Sequence, residues 1–174
     1  MIPGGATASV TLVPLGTGHL ARTREWANDP ALARRMDRAR PVSPPEHDVW
    51  FASLRTRTDC AYFAIEQAGE PAHVGNVWLW AIDRRHRKAE LRIVIGEPSA
   101  RGRGLGHQAI DLLCCHGFAR RGLHRIYAYV LDINPAARRA FEKAGFSLEG
   151  VLREDRTVDD QYTDAYLLAR LAPR

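Results

Sequence analysis

A glycine-rich turn, Arg101-Gly102-Arg103-Gly104-Leu105-Gly106, separates an apolar, strand-like run from a helical pattern. Glycines allow the backbone to turn tightly and allow a ligand to approach it closely. The amides of a helix's first turn lack intrahelical partners, and together with the helix dipole they favour a bound phosphate. Arg101 and Arg103 add positive charge at the same place. The turn therefore predicts a binding site for a phosphate group.

Two common phosphate-binding motifs do not fit this turn. A P-loop ends in Gly-Lys-Ser or Gly-Lys-Thr, whereas this turn continues as Gly106-His107-Gln108. The dinucleotide fingerprint has the spacing GxGxxG, whereas Gly102, Gly104 and Gly106 give GxGxG, and no suitable acidic residue follows a second strand. Taken alone, the stretch is also compatible with a plain tight turn.

The periodicity of apolar residues predicts the elements that position the turn. Before it, we predict strands at Ser9–Leu15, Ala61–Gln67, His73–Asp83 and Lys88–Gly96, and helices at Thr17–Asn28, Ala31–Asp37 and Pro44–Arg55. After it, we predict a helix to about Arg121, a strand at Ile126–Val130, a helix at Pro135–Ala144, and strands at Phe146–Thr157 and Tyr162–Leu171. Residues 1–8 are expected to be a loose tail, Gly69-Glu70 a turn, Ser43 and Asn134 N-caps, and Gly122 a C-cap.

The composition is that of one globular domain over residues 1–174. The chain is 45% hydrophobic and 26% charged, and no apolar run approaches the roughly 18 residues of a membrane span. The N-terminus has neither the basic nor the apolar region of a secretory signal. Cys60, Cys114 and Cys115 show no CxxC spacing, so we expect neither a disulfide framework nor a zinc site. These features predict a cytoplasmic protein without a metal or a membrane partner.

The net charge of +5 fits either a polyphosphate cofactor or nucleic acid. The arginines are scattered along the chain, and no basic stripe interleaves with aromatic residues. The positions of the basic residues therefore favour a polyphosphate cofactor, and no nucleic-acid partner is expected.

Two blocks of the sequence resemble the acetyl-coenzyme A motifs of the GNAT (Gcn5-related N-acetyltransferase) superfamily. Arg101, Gly104 and Gly106 match its Arg-x-x-Gly-x-Gly motif, and the preceding run Ala89–Ile95 is similar to its fourth strand. The run Asn134–Phe146 resembles its "Asn…Tyr-Glu-Lys-x-Gly-Phe" block. Two blocks in this order and separation make a specific match.

Weaker similarities extend over nearly the whole chain. The segments Leu12–Leu15, Trp26–Pro30 and Glu149–Glu154 are similar to the RimJ/RimL-like branch of the superfamily. The segment Pro41–Phe51 resembles the "His-x-x-Trp-Phe" helix of amino-sugar N-acetyltransferases.

The resemblance implies an α/β (α+β) fold with a mixed, mostly antiparallel sheet. About six or seven strands would be flanked by about four helices, with strands four and five splayed apart around the pantetheine arm of acetyl-coenzyme A. The backbone of strand four would pair with this arm as an added strand would. The residues implied as cofactor-binding are Ile93, Val94, Ile95, Arg101, Gly102, Arg103, Gly104, Leu105, Gly106, Asn134, Arg139 and Phe141.

Acetyl transfer to an amine requires a neutral amine, a donor for the oxyanion and a route for a proton to the departing sulfur. Glu90 on strand four is the candidate general base, with a water relay to Asp132 as an alternative; the amide of Val94 or a neighbour is the candidate oxyanion donor. Asn134 would contact the pantetheine or orient the thioester, besides capping its helix. Many members of the superfamily have an acid tyrosine where this chain has Phe141. The candidates to replace that tyrosine are Tyr127, Tyr129, Tyr162 and Tyr166, and a reaction without an acid is also open.

The acceptor amine is not identified by these residues. A small amine such as an amino-sugar or aminoglycoside is favoured by the segment around His47 and Trp50; a protein N-terminus and a polyamine are the alternatives. Asp155, Asp159, Asp160 and Asp164 are candidates for an acidic acceptor pocket, with a solvated turn as the alternative. Trp78 and Trp80 share a strand face and are candidates either for sheet packing or for the lining of the acceptor pocket. A non-catalytic acyl-coenzyme A-binding module is the alternative that Phe141 favours, and a homodimer is possible. His107, His116 and His124 are interpreted as structural.

Overall fold

Seven strands form one sheet in the order β1-β2-β3-β4-β5-β7-β6. The structure is a computed structural model that describes residues 1–2, 9–36, 40–68 and 72–173. The strands are β1 (Val10–Pro14), β2 (Ala61–Gln67), β3 (His73–Asp83), β4 (Lys88–Ile95), β5 (Arg125–Leu131), β6 (Ser147–Val158) and β7 (Gln161–Leu171). The helices are α1 (Leu20–Ala27), α2 (Pro30–Arg35), α3 (Pro44–Ser53), α4 (Leu105–Arg121) and α5 (Pro135–Lys143).

The predicted fold class is confirmed. All neighbouring strands pair antiparallel except β4 and β5, which are parallel. The described part of the chain has five α-helices, one for each helix that the apolar periodicity predicted, where the resemblance implied about four. The predicted helix Thr17–Asn28 is wrong at its start: Thr17–His19 is a 3-10 turn, and the α-helix begins only at Leu20. The predicted tail, the turn at Gly69-Glu70 and the helix end at Asp37 lie largely or wholly outside the described residues.

The predicted caps form as the residue types require. The Ser43 hydroxyl accepts a hydrogen bond from the Glu46 amide at 3.4 Å, and the Glu46 carboxylate accepts one from the Ser43 amide at 2.9 Å. Asn134 is the N-cap of α5, and its Oδ1 accepts a hydrogen bond from the amide of Ala137 at 3.2 Å. Gly122 ends α4 with a φ of 63°, a conformation that glycine adopts without strain.

The sheet separates two layers because its strands alternate side chains between two faces. Leu91, Ile93 and Ile95 of β4 pack with the residues of α4 and α5 in the main core. Glu90, Arg92 and Val94 point to the opposite face, which α1, α2 and α3 cover in part. Trp26 of α1 lies directly on the end of β4, because a Cβ on Gly96 would come within 1.9 Å of the indole ring.

The strands β4 and β5 pair over only three residues each. Lys88–Glu90 lie beside Arg125–Tyr127, after which β4 continues along β3 and β5 continues along β7. The sheet is therefore open between the C-terminal halves of β4 and β5. The predicted splay of strands four and five is present.

Candidate active site

The backbone of β4 supplies hydrogen-bonding groups to this opening. The amide of Gly96 donates to the carbonyl of Val74 at 3.0 Å, which identifies Gly96 and Val74 as a hydrogen-bonded pair of the β3–β4 ladder. Because such pairs alternate along an antiparallel ladder, Val94 bonds to β3, whereas Ile93 directs its N–H and C=O towards β5. Of the candidate donors to the oxyanion, Val94 or a neighbour on β4, the amide of Ile93 is therefore the one directed towards the opening, and its role stays a prediction.

The glycine-rich turn closes one end of the opening. Gly102 and Gly104 have φ values of 74° and 81°, in the left-handed region, and α4 begins immediately afterwards without a side-chain cap. Arg101 folds back and donates to the carbonyl oxygens of Ile95 at 3.1 Å and Gly96 at 2.7 Å. Arg101 therefore fixes the turn against β4, and no side chain caps the first amides of α4.

A cleft of about 430 Å³ runs between β4, this turn and α5. It brings together nearly all the residues predicted to bind the cofactor: Ile93, Val94, Ile95, Arg101, Gly102, Gly104, Leu105, Gly106, Asn134 and Arg139. Arg103 is not in its wall; its guanidinium lies 3.4 Å from the side-chain oxygen of Gln67. Phe141 lines the adjoining cavity instead.

The charge of this cleft fits a polyphosphate. The described residues in its wall include the cations Arg35, Arg101, Arg139 and Lys143 and no carboxylate. No Cβ contact within 4 Å would form at Gly102, so the turn leaves open space where a ligand's phosphates would lie. Sequence reasoning missed Lys143 and Arg35 as wall residues. Lys143 could have been predicted from the sequence, because it lies one turn after Arg139 on the same helix.

Glu90 lines a second cavity of about 190 Å³, here called the opening cavity, where β4 and β5 separate. Its side chain lies on the face opposite to Leu91 and Ile93, as predicted. Only 7% of Glu90 is exposed, and Arg92 holds its carboxylate through two hydrogen bonds of 2.6 and 3.1 Å. Arg92 was missed, although residues two apart on a strand share a face. The role of Glu90 as a base stays a prediction.

Phe141 is buried and cannot transfer a proton. Its ring packs edge-on against Phe146 at 5.0 Å between centroids, with 3% of the residue exposed. Asn134 lines both the cleft and the opening cavity while it caps α5. It therefore occupies the place expected for a residue that contacts the acyl donor, and that role stays a prediction.

The four candidate tyrosines are placed very differently. Tyr129 lines the opening cavity. Tyr127 lies beside it with ring centroids 5.8 Å apart, and burial raises the pKa of Tyr127. The hydroxyl of Tyr166 donates to Asp132 at 2.5 Å, and this hydrogen bond raises the pKa of Tyr166. Tyr162 is 72% exposed near the β6–β7 turn. Tyr129 is therefore the best-placed hydroxyl.

A third cavity of about 220 Å³ lies between α1–α3 and the sheet face that carries Val94. We call it the aromatic chamber; its ring-bearing walls are Trp26, His47, Trp50, Tyr62 and Trp78. Trp80 does not line it, because its indole packs under the guanidinium of Arg57 at 4.1 Å. Of the two expected lining tryptophans of β3, the structure thus places only Trp78 in a cavity.

The acidic acceptor pocket expected from four aspartates does not form. None of Asp155, Asp159, Asp160 and Asp164 lines any of the three cavities. Asp155 pairs with Arg156, and Asp159 pairs with Arg34 at 2.5 Å. The carboxylate of Asp164 accepts a hydrogen bond from the amide of Glu154 at 2.8 Å, which joins β7 to β6.

The described residues contain no group of three or more His, Cys, Asp or Glu side chains arranged to hold a metal ion. Cys60, Cys114 and Cys115 are all thiols. Within the described ranges, none of the helices combines the length and the apolar character that crossing a membrane requires.

Residues 9–147 match the acetyltransferase (GNAT) domain family. The N-acetyltransferase 9-like protein of Nematostella vectensis is 28% identical over 147 residues, which cover 79% of this chain and 74% of that protein. Spermidine N(1)-acetyltransferase of Escherichia coli K12 is 37% identical over 103 residues, which cover 59% of this chain and 54% of that protein.

A crystal structure of spermidine N-acetyltransferase from Vibrio cholerae in complex with CoA and spermine superposes with a TM-score of 0.86 at 26% sequence identity. This superposition covers 94% of this chain and 95% of that one. The sequence alignment spans about half the length of the E. coli relative, whereas the similarity of fold extends over nearly the whole of both superposed chains.

Proposed function

We infer that this chain, which belongs to the GNAT acetyltransferase family, transfers an acetyl group from acetyl-coenzyme A to a primary amine of a small molecule. The observation that carries this function is the open β4–β5 pairing beside a cationic cleft that ends in the uncapped start of α4. This arrangement offers a strand edge to an extended arm and amides to a pyrophosphate. Among the described residues the site contains no metal cluster, and the reaction proposed needs none.

Acetyl-coenzyme A supplies the acetyl group as an activated thioester when it is bound. The Arg101–Gly106 turn and Arg139 bind its phosphates, and Ile93 pairs with its pantetheine arm. Arg103 and Phe141 were also predicted to bind it; Arg103 contributes its charge from outside the cleft, and Phe141 packs apolar surface beside the acyl group. The cleft therefore orients the donor along β4.

Proton transfer is assigned to residues of the opening cavity. The attacking amine forms a bond to the acetyl carbon as the carbon–sulfur bond breaks, so the amine must lose a proton and the sulfur can gain one. Glu90 accepts the proton from the amine, directly or through water, and Tyr129 donates one to the departing sulfur. The amide of Ile93 donates to the oxygen that becomes negative, and Asn134 orients the thioester.

The acceptor is proposed at the level of a small-molecule amine. Two of the relatives described above are spermidine acetyltransferases, which supports polyamines as one class to test. Amino-sugars and aminoglycosides, which the His47–Phe51 segment suggested, and N-terminal peptides complete the panel. We also propose a cytoplasmic location and a homodimer; β6 supports the dimer, because it is a 12-residue edge strand with Leu148 and Val151 exposed.

The experiment that tests the function is release of free thiol from acetyl-coenzyme A with each acceptor class. We expect turnover that depends on both substrates. Tight binding of coenzyme A without turnover on any amine would instead support the alternative, a non-catalytic acyl-coenzyme A-binding module, which Phe141 favours.

A further inference from the structure

We propose that the acceptor is a monoamine on an aromatic or bulky apolar body, and that this body binds in the aromatic chamber. The proposal rests on the proposed acetyl-transfer function and names its acceptor class. It differs from the polyamines that give the two spermidine acetyltransferases their name.

The aromatic chamber adjoins the place where the acetyl group is delivered. Val94 lines both the chamber and the coenzyme cleft, and Met36 lines these two and the opening cavity. An apolar body in the chamber can therefore direct its amine past Val94 towards Ile93 and Glu90. No residue of the glycine turn lines the chamber, so its wall is distinct from the proposed phosphate site.

The rings of the chamber form one continuous wall. Tyr62 and Trp78 are stacked, with centroids 5.2 Å apart and planes 11° from parallel. Trp50 meets the edge of Tyr62 at 5.4 Å, and His47 lies against Trp50 at 4.9 Å. Such a wall presents flat apolar surface, on which another ring packs in a stacked or edge-on geometry.

No charged side chain lines the chamber among the residues that the structure describes. Two of its polar side chains are hydrogen-bonded: the side-chain amide of Asn76 donates to the hydroxyl of Thr23 at 3.1 Å, and this hydroxyl donates to the carbonyl of His19 at 2.8 Å. Burial raises the pKa of Tyr62 to about 12, so its phenol is neutral at physiological pH. The described wall of the chamber therefore offers a cation neither a carboxylate nor a phenolate.

A polyamine is disfavoured by this distribution of charge. Each additional ammonium group would lose its hydration on entering a chamber whose described wall has no anion, which costs free energy. Cation–π contacts with the ring faces would offset only part of this cost. Beyond the chamber, the described wall of the opening cavity contains Arg35, Arg92 and Arg156 and one carboxylate, Glu90. Glu90 is already paired with Arg92, and Arg156 is paired with Asp155. A single amine can lose its proton there and react, whereas the further charges of a polyamine would meet Arg35 and carboxylates that already have a cation.

The test compares tyramine with spermidine as acceptors for the full chain with acetyl-coenzyme A. Thiol release gives kcat/KM for each amine, and calorimetry in the presence of coenzyme A gives their binding. We expect kcat/KM for tyramine to exceed that for spermidine at least about tenfold, since a well-filled apolar pocket discriminates by factors of about 10 to 200.

A pair of matched indole variants locates the binding site. Trp50 and Trp80 are both half-buried, but only Trp50 lines the chamber. Trp50→Ala should raise KM for tyramine at least about fivefold with little change in kcat, and Trp50→Phe should restore most of the loss. Trp80→Ala should leave both parameters within about twofold, provided that thermal unfolding shows each variant to be folded.

The outcomes separate this proposal from the function on which it rests. A higher kcat/KM for spermidine overturns the aromatic acceptor and leaves acetyl transfer standing. Tyramine binding that requires Trp50, without turnover on any amine, supports the chamber and overturns acetyl transfer. Absence of both binding and turnover overturns both, and equal effects of Trp50→Ala and Trp80→Ala overturn the placement in the chamber.

Discussion

Glu90 and Arg92 form a two-point ion pair on one face of β4, with Nε of Arg92 2.6 Å from Oε1 of Glu90. The pair spans neighbouring positions on the strand face that looks into the opening cavity. It fixes the direction of the one carboxylate in that cavity's described wall while leaving the cavity otherwise cationic. The proposed proton acceptor, Glu90, and a group that repels further cations, Arg92, therefore lie side by side on the same strand.

Removal of the carboxylate should reduce the reaction without preventing donor binding. We expect Glu90→Gln to lower kcat/KM about 100-fold, the lower end of what a positioned base contributes, with unchanged affinity for coenzyme A. Glu149→Gln is the control, because Glu149 is an ion-paired strand carboxylate that lines none of the three cavities. Equal losses in both variants would remove Glu90 from the mechanism.

A carboxylate at the glycine turn should block the donor. Gly104 has a φ of 81°, and a Cβ there would lie 3.2 Å from the ring of His107. Gly104→Asp and Gly104→Asn introduce nearly the same shape, and both residue types tolerate the left-handed region better than most. We expect calorimetry to show that Gly104→Asp weakens coenzyme A binding at least about tenfold more than Gly104→Asn, because only the aspartate repels phosphate. Identical affinities of the two variants would contradict the placement of the pyrophosphate.

The hydroxyl of Tyr129 should matter most when the leaving thiol needs its proton. A thiol of this kind titrates near the value of about 8.5 for cysteine, so a thiolate leaves unaided at higher pH. We expect Tyr129→Phe to lower kcat about tenfold at neutral pH and by less above about pH 9. Steady-state kinetics across pH measure this, with Tyr162→Phe as the exposed control. A deficit that is constant across the pH range would argue against proton donation by Tyr129.

Stability should fall as the pH is lowered through the range of histidine. Burial lowers the pKa of His73, whose Nε2 lies 3.0 Å from both the carbonyl of Gly75 and the side-chain oxygen of Asn76. Nε2 therefore carries the proton, and the buried Nδ1 has no hydrogen-bond partner among the described residues. The unfolded state takes up a proton near pH 6.5, before the folded state does, so the stabilising contribution is complete above this pH and declines below it.

The measurement is the free energy of unfolding in denaturant at pH 7.5 and 5.5. We expect a smaller pH-dependent loss in His73→Gln, which keeps a donor but cannot become charged. The lowered pKa of His116 contributes a residual loss of the same sign. An unchanged pH dependence in the variant would show that His73 is not the group responsible.

Local patterns were sufficient for most of the framework. The strands Ala61–Gln67 and His73–Asp83 have the predicted bounds, because β-branched and aromatic residues alternate between clear turn signals. The caps at Ser43 and Asn134 also formed as predicted, since an N-cap depends on residues within one turn. The start of α1 was misjudged by one turn: Thr17–His19 consists of residues with low helix propensity and forms a 3-10 turn.

The sequence by itself determined the family and the face of β4 that carries Glu90, and it predicted most residues of the cationic cleft, because each depends on spacing within continuous segments. The tertiary structure decided which groups meet across segments. It turned the backbone of Ile93, rather than that of Val94, towards the opening, and it paired Asp155 with Arg156 and Asp159 with Arg34. It also brought Trp50, Tyr62 and Trp78 from three elements into one chamber whose described wall has no charged side chain. The packing of the elements decides which residues of a strand bond to each neighbouring strand and which distant segments touch. Neither can therefore be predicted from local spacing.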